Sequence, residues 1–379
     1  MSNAKPLSAA KALNDAKRIV IKVGSALLVD EQGEIRADWL KGLIQDIHAL
    51  RKQNKDVLLV SSGAIAVGRK PLALTFGSSL RLDEKQAAAA TGQILLAHAY
   101  HSTMALFGYT AAQVLLTLSD TEDRRRHLNA RDTLSTLLKL GAIPVINEND
   151  TVATTEIRYG DNDRLAARVS TMVGADMLVL LSDIDGLYTH NPKTDPKAAH
   201  IPVIHCIDDK IEAMAEKPVS AVGSGGMITK IMAAKIAVNA GTQMIIAQGN
   251  RANPIQAITD EQPASLFLTQ TTPLQARKTW IAGTLSTQGK IIIDQGASHA
   301  LHQGSSLLPV GVISIEGNFE SGDAVGIFDA NKRELARGLS SYSSQDALAI
   351  LGHHSDKIQQ ILGHKGRPAL VHRDNLVLL

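Results

Sequence analysis

Short apolar runs alternate with longer mixed ones along roughly the first two thirds of the chain, and the pattern changes near residue 270. Arg18–Val23, Asp56–Val60, Ala111–Leu118, Ala142–Ile146, Asp176–Leu181 and Met244–Gln248 are rich in Val, Ile, Leu and Ala, the mark of strands buried on both faces. Between them, Asp38–Gln53, Asp83–Phe107 and Glu122–Lys139 carry helical spacing or Ala-rich sequence. So do the stretch capped by Asn162 (or its neighbour at 161) that ends at Val173, and the stretch ending at Ala240. The alternation from residue 18 to 268 predicts an α/β fold with a mostly parallel sheet covered by helices on both faces. Pro273–Ile281 reads as a crossing segment. Beyond it, Lys290–Asp294, Val310–Glu316, Ala324–Phe328, Glu334–Gly338 and Ala369–Leu370 are short β-runs punctuated by glycines, with a helix at Ser344–Leu351. They predict a second, mainly β domain.

Polar residues interrupt this pattern at strand ends, where open α/β sheets bind ligands. Lys22 stands near the end of the first strand, just ahead of the Gly24 turn; it is either a strand-edge lysine reaching water or a cation aimed at phosphate. Ser61-Ser62-Gly63 follows the second strand, either as a plain helix cap or as a helix start that receives an anion. After Ala142–Ile146 the chain packs Asn147, Glu148, Asn149, Asp150, Glu156, Asn162 and Asp163 into a short span. Such density is tolerable facing water or around a cationic or polar ligand. Residues 154–159 suggest a hairpin arm over this site. Ser182 and Asp183 end the fifth apolar run. The loop VGSGGMITK, residues 222–230, opens a helix with three glycines and places Lys230 one turn inside. It lacks Walker A spacing and by itself is compatible with a plain connector.

Composition narrows the function classes. The net charge of +2 is the difference between 39 basic and 37 acidic residues, and aromatics are 3%, which argues against a nucleic-acid-coating protein. The clustered Arg124, Arg125, Arg126 and Arg131 read as a solvated face or a subunit contact. Cys206 is the single cysteine, so no intrachain disulfide forms and a reducing cytoplasm is the expected setting. Residues 1–17 lack the apolar core of a secretory signal and read as a mobile extension or a short surface helix. No apolar run approaches the roughly 18 residues that span a bilayer, so no membrane partner is expected. His353-His354 is a poor metal pair, since adjacent helical side chains diverge.

Taken in order, IKVGS, VSSGAIAVG, LNARDTL, PVINENDTVAT, the GDND of residues 160–163, LSDIDGLY and GSGGMITK resemble the glutamate 5-kinase family, and the likeness covers nearly everything after residue 17. It implies an amino acid kinase-like α/β/α sandwich over 18–272. A linker at 273–288, a PUA-like barrel at 289–367, matching GASHAL and GSSLLPVGVISIEGNFESGD, and a tail at 368–379 would follow. It implies ATP- and Mg²⁺-dependent phosphorylation of the L-glutamate γ-carboxylate, opening proline biosynthesis in the cytoplasm, with L-proline as inhibitor and a homodimer or homotetramer as the assembly. Carried over by motif, Lys22, Lys230 and Asp163 are catalytic. Ser62, Gly63, Asn147, Asp150 and Asn162 hold substrate. Lys22, Ser182, Asp183, Ser224, Gly225, Gly226, Met227, Ile228, Thr229 and Lys230 meet ATP. The metal is expected on the ATP phosphates rather than on protein ligands. Ser182 stands where the family more often has Thr, and the 17-residue N-terminal extension is longer than usual. Kinases of acetylglutamate, aspartate or carbamate are the alternatives of the same class, and a PUA-type RNA-binding factor is the alternative of another.

Overall fold

The computed structural model describes residues 7–76, 79–152, 162–215, 226–283 and 287–379. The chain divides at Pro273 into two units. In the first, the strands are β1 (Arg18–Val23), β2 (Asp56–Ser61), β3 (Ala111–Leu116), β4 (Ile143–Glu148), β5 (Met177–Ser182), β6 (Val203–Ile204), β7 (Gln243–Gln248) and β8 (Ala264–Phe267). They form one sheet in the order β3-β4-β2-β1-β5-β7-β8-β6. Every neighbouring pair is parallel except β7 with β8.

Successive side chains of a strand point to opposite faces, and here both faces are apolar. On β1, Ile19, Ile21 and Val23 enter one core and Val20 the other; on β5, Met177, Val179 and Leu181 oppose Leu178 and Leu180. The first face is covered by α1 (Ala9–Asp15), α2 (Ala37–Lys52), α3 (Ala64–Arg69) and α4 (Leu82–Ala105). The second is covered by α5 (Arg124–Lys139), α6 (Asn162–Val173) and α7 (Met227–Asn239). The result is the α/β/α sandwich that the alternation predicts.

Three local findings bear on the sequence reading. Residues 9–15 are a helix docked on the core, with Leu13 fully buried. The Lys55 ammonium, itself buried, donates to the carbonyls of Leu13 (3.1 Å) and Ala16 (2.7 Å). That pins the C-terminus of α1, where unpaired carbonyls and the helix dipole favour a cation. Second, α3 and α4 touch backbone to backbone. A Cβ on Gly68 would lie 1.8 Å from the Ala88 carbonyl oxygen, and one on Gly92 would lie 1.8 Å from that of Ala64. Third, the arginine cluster is not wholly a solvated face. Arg131 turns inward to 9% exposure and pairs with Asp132 at 2.9 Å.

The second unit has its own core and a five-stranded sheet. Its strands are β9 (Gly289–Ile293), β10 (Val312–Gly317), β11 (Ala324–Phe328), β12 (Glu334–Leu339) and β13 (Leu376–Leu378), in the order β10-β9-β11-β12-β13. The expected strand at Ala369–Leu370 is not one; the neighbouring Val371 makes only an isolated bridge to Leu307. The fifth strand comes instead from the stretch read as a tail, because the open edge of β12 pairs with it. Residues 273–282, read as a crossing segment, are helical.

Candidate active site

The polar strand ends gather at the carboxyl edge of the first sheet. Lys22 lies next to last on β1, Ser61 closes β2, Asn147 lies next to last on β4, and Ser182 closes β5. The parallel register sets Val23 beside both Ser61 and Leu181, so these ends are neighbours because their strands are. Helices α6 and α7 begin on the same edge and supply Asn162, Asp163 and Lys230.

At the centre is a buried charge triad. The Lys22 ammonium lies 2.7 Å from Asp163 Oδ1, and that of Lys230 lies 3.1 Å from Asp163 Oδ2. Asp163 is 1% exposed, and both lysines are buried. Burial by itself raises the pKa of the Asp163 carboxyl; the two ammonium groups outweigh that and hold it at about 2. Thr229 Oγ donates to Asp163 Oδ2 at 3.0 Å, which fixes the carboxylate from a third side. Two cations around one carboxylate leave a positive surplus in a poorly solvated place, a site that calls for an anion. Helix α7 adds to the field. Its cap residue, Gly226, has no side chain to satisfy the first N–H groups, and Met227 and Ile228 form its first turn.

Beside the triad lies a second cluster of opposite character. Asn162 Nδ2 donates to Ser62 Oγ (2.6 Å), to the Ser61 carbonyl (2.9 Å) and to Asn147 Oδ1 (3.2 Å). With its donors so occupied, the buried Asn162 Oδ1 has no hydrogen-bond partner among the described residues. Asp150 likewise makes no hydrogen bond or ion pair among the described residues, and burial pushes its pKa up to about 6. An unpartnered buried amide oxygen and a carboxylate poorly solvated by burial are each of a kind that suits a cationic group. Gly63 begins α3 in the left-handed region, φ 106°, so it and not Ser62 is the helix cap, and Ser62 is free to bind Asn162.

The structure thus brings together Lys22, Asp163 and Lys230, and separately Ser62, Asn147 and Asn162. Ser182 Oγ donates to Asp183 at 3.1 Å, with Ser182 buried and Asp183 exposed. Ser224, Gly225 and the arm at 154–159 lie outside the described residues. Two partners went unread in the sequence, both on α4. Gln93 Oε1 accepts from Asn147 Nδ2 at 2.8 Å, and the Tyr100 hydroxyl lies 3.0 Å from Ser61 Oγ. Their only sequence signal is an amide and a phenol spaced by two helical turns in an Ala-rich helix.

A mostly parallel sandwich with a buried, net positive cluster at the carboxyl edge of its sheet is the arrangement of an α/β protein that handles an anionic ligand. The amino acid kinase family profile matches residues 17–248, and the PUA domain profile matches 289–362. Curated proteins named glutamate 5-kinase align over almost their whole length. The one from Agrobacterium fabrum is 56% identical over 368 residues, covering 97% of this chain and 94% of that protein. The one from Paramagnetospirillum magneticum is 54% identical over 364 residues, covering 96% and 98%. The one from Bartonella henselae is 56% identical over 362 residues, covering 96% and 95%. The chain belongs to the amino acid kinase family, in the group of its glutamate 5-kinase members that carry a C-terminal PUA domain. It is a kinase.

Proposed function

We propose that the chain transfers the γ-phosphoryl group of ATP to the γ-carboxylate of L-glutamate. The product is L-glutamyl 5-phosphate, the first intermediate of proline biosynthesis. The observation that carries the reading is the buried Lys22–Asp163–Lys230 triad. Phosphoryl transfer to a carboxylate forces two anions together, and there is little covalent work beyond positioning and charge stabilisation. One γ-carboxylate oxygen attacks the γ-phosphorus, the bond to the β-phosphate bridging oxygen breaks, and ADP leaves with that electron pair. The nucleophile is ionised at neutral pH, with a pKa of about 4.3 in free glutamate, so no general base is required. Lys22 and Lys230, held apart by Asp163, offset charge on the moving group and on the ADP oxygens. The two lysines with one carboxylate fit a polyphosphate, and the open first turn of α7 extends that fit. Mg²⁺, carried mainly by the ATP phosphates, supplies further neutralisation there.

The amine cluster supports glutamate over its N-acetylated form. Asn162 Oδ1 and Asp150 suit an ammonium group, which acetylation removes. We assign Ser62 and the backbone at Gly63 to the α-carboxylate. Ser182, Asp183 and residues 224–230 are assigned to the nucleotide. We place the reaction in the cytoplasm and the chain in a homodimer or homotetramer. Proline has the outline of cyclised glutamate, and we assign its inhibition to an overlapping site. Inhibition fully noncompetitive with glutamate would exclude overlap.

The test is ATP turnover with L-glutamate, with N-acetylglutamate and with aspartate, the acyl phosphate being trapped by hydroxylamine. Hydroxamate from glutamate alone is expected. Hydroxamate from N-acetylglutamate or aspartate instead would reassign the substrate.

A further inference from the structure

Helix α4 carries no residue of the triad or the amine cluster, yet two of its side chains reach that cluster from behind. Asn147 is 2% exposed, so each of its amide atoms needs a protein partner. Its Oδ1 is shared by the Glu148 backbone N–H (2.9 Å) and Asn162 Nδ2, while its Nδ2 donates to Gln93 Oε1. The backbone N–H of Glu148 and the backbone carbonyl of Ser61 cannot swap roles, so they fix which way both asparagine amides face. Gln93 completes the set: it is the acceptor for Asn147 Nδ2, the one amide group of Asn147 that these contacts leave unpaired. One α4 residue seven positions on, Tyr100, holds Ser61 through its hydroxyl, and Ser61 is fully buried. The helix itself is seated on α3 by the close approach at Gly92, the residue next to Gln93.

We propose that Gln93 is a positioning residue for the amine-binding amides. By pairing Asn147 Nδ2 it holds the Asn147 side chain, and with it one acceptor of Asn162 Nδ2, in place, and so steadies Asn162 Oδ1 for the substrate ammonium. The proposal rests on the glutamate reading above and names what selects the free amine. It touches neither lysine of the triad, so its effect falls on amino-acid binding and not on the nucleotide.

Gln93→Glu and Gln93→Leu separate this role from a packing one. A glutamate keeps an acceptor for Asn147 Nδ2, and the position has room: Gln93 borders a cavity of about 260 Å³ together with His101 and Gln113. A leucine keeps bulk and removes the acceptor. The readouts are KM for L-glutamate, KM for ATP, the melting temperature, and the ratio of kcat/KM for L-glutamate to that for glutarate, which has both carboxylates and no amine. For Gln93→Leu, a rise of about tenfold in glutamate KM and a similar fall in the glutamate-to-glutarate ratio are expected, on the scale of stranding one buried donor. ATP KM should stay within about twofold. Gln93→Glu should restore both glutamate readouts. Equal losses on glutamate and glutarate, or a Glu variant no better than Leu, overturn the proposal while leaving the activity in place. Wild-type protein that forms no glutamyl hydroxamate overturns the substrate reading itself, and that result does not depend on either variant.

Discussion

Lys230 shows how much one preorganised charge contributes. It is buried and its ammonium is fixed by Asp163, so in the proposed reaction it would need no rearrangement as charge moves onto the phosphoryl group. Lys230→Ala should therefore lower kcat by about 10²-fold or more while the fold persists, measured as steady-state turnover beside a circular dichroism spectrum. Asp150 gives a second test, in pH. Burial raises its pKa to about 6, so above that pH it is an anion, which the proposed reading pairs with the substrate ammonium, and below it a neutral acid. The kcat/KM for glutamate should fall as pH drops through about 6, and Asp150→Asn should lower kcat/KM and erase that limb of the profile. The same shift makes a stability statement of opposite sense. A raised folded-state pKa favours the folded chain at low pH, and the advantage is lost as pH rises from about 4 to about 6. At this scale the sequence was half legible. Lys22 stands out as a cation near the end of a β-branched strand, and the order of motifs singles out Asp163 and Lys230. That these last two touch, 67 residues apart, follows only from the adjacency of α6 and α7 in space. Gln93 was silent, because one amide within an alanine-rich helix looks the same whether it faces water or a buried asparagine.

Helix α4 is where an element-scale change would be read most clearly. Its seat on α3 depends on two glycines whose missing side chains admit a backbone carbonyl each. Gly92→Ala would put a methyl group 1.8 Å from the Ala64 carbonyl oxygen, which no rotamer change relieves. A loss of about 1–3 kcal/mol is expected by denaturant unfolding, with a raised glutamate KM as α4 lifts Gln93 away from Asn147. The strands of the first sheet were readable because both faces are apolar. The elements that misled are those that depend on a distant partner. Residues 9–15 read as a mobile extension or a short surface helix; they are a helix, but one docked on the core, with Lys55 holding its C-terminal carbonyls. Leu376–Leu378 reads as part of a tail until β12 offers it an edge. Lys55→Met should release α1 and cost about 2 kcal/mol, since it strands buried carbonyls; hydrogen exchange at residues 9–15 would show the release.

The molecule as a whole is two separately cored units. The buried clusters of the first end at Phe267 and that of the second begins at Ile291. A chain ending at Pro273 should fold and keep turnover within about tenfold of the full protein, since all the residues assigned to chemistry lie before that point. Insoluble or inactive 1–273 would mean that the second unit is needed for the first.

The strand order has a consequence for how such a chain is born. Strand β1 leaves the ribosome first but sits mid-sheet, and one of its two neighbours, β5, begins only at Met177. At about 5–20 residues per second, seconds pass before that partner arrives. Through that interval the nascent half-sheet presents an apolar, unpaired edge at Ile19, Ile21 and Val23, the kind of surface that chaperones cover and that crowded unfolded chains find in one another. High contact order, inherited from a sheet that closes around its oldest strand, makes refolding yield the quantity most sensitive to protein concentration.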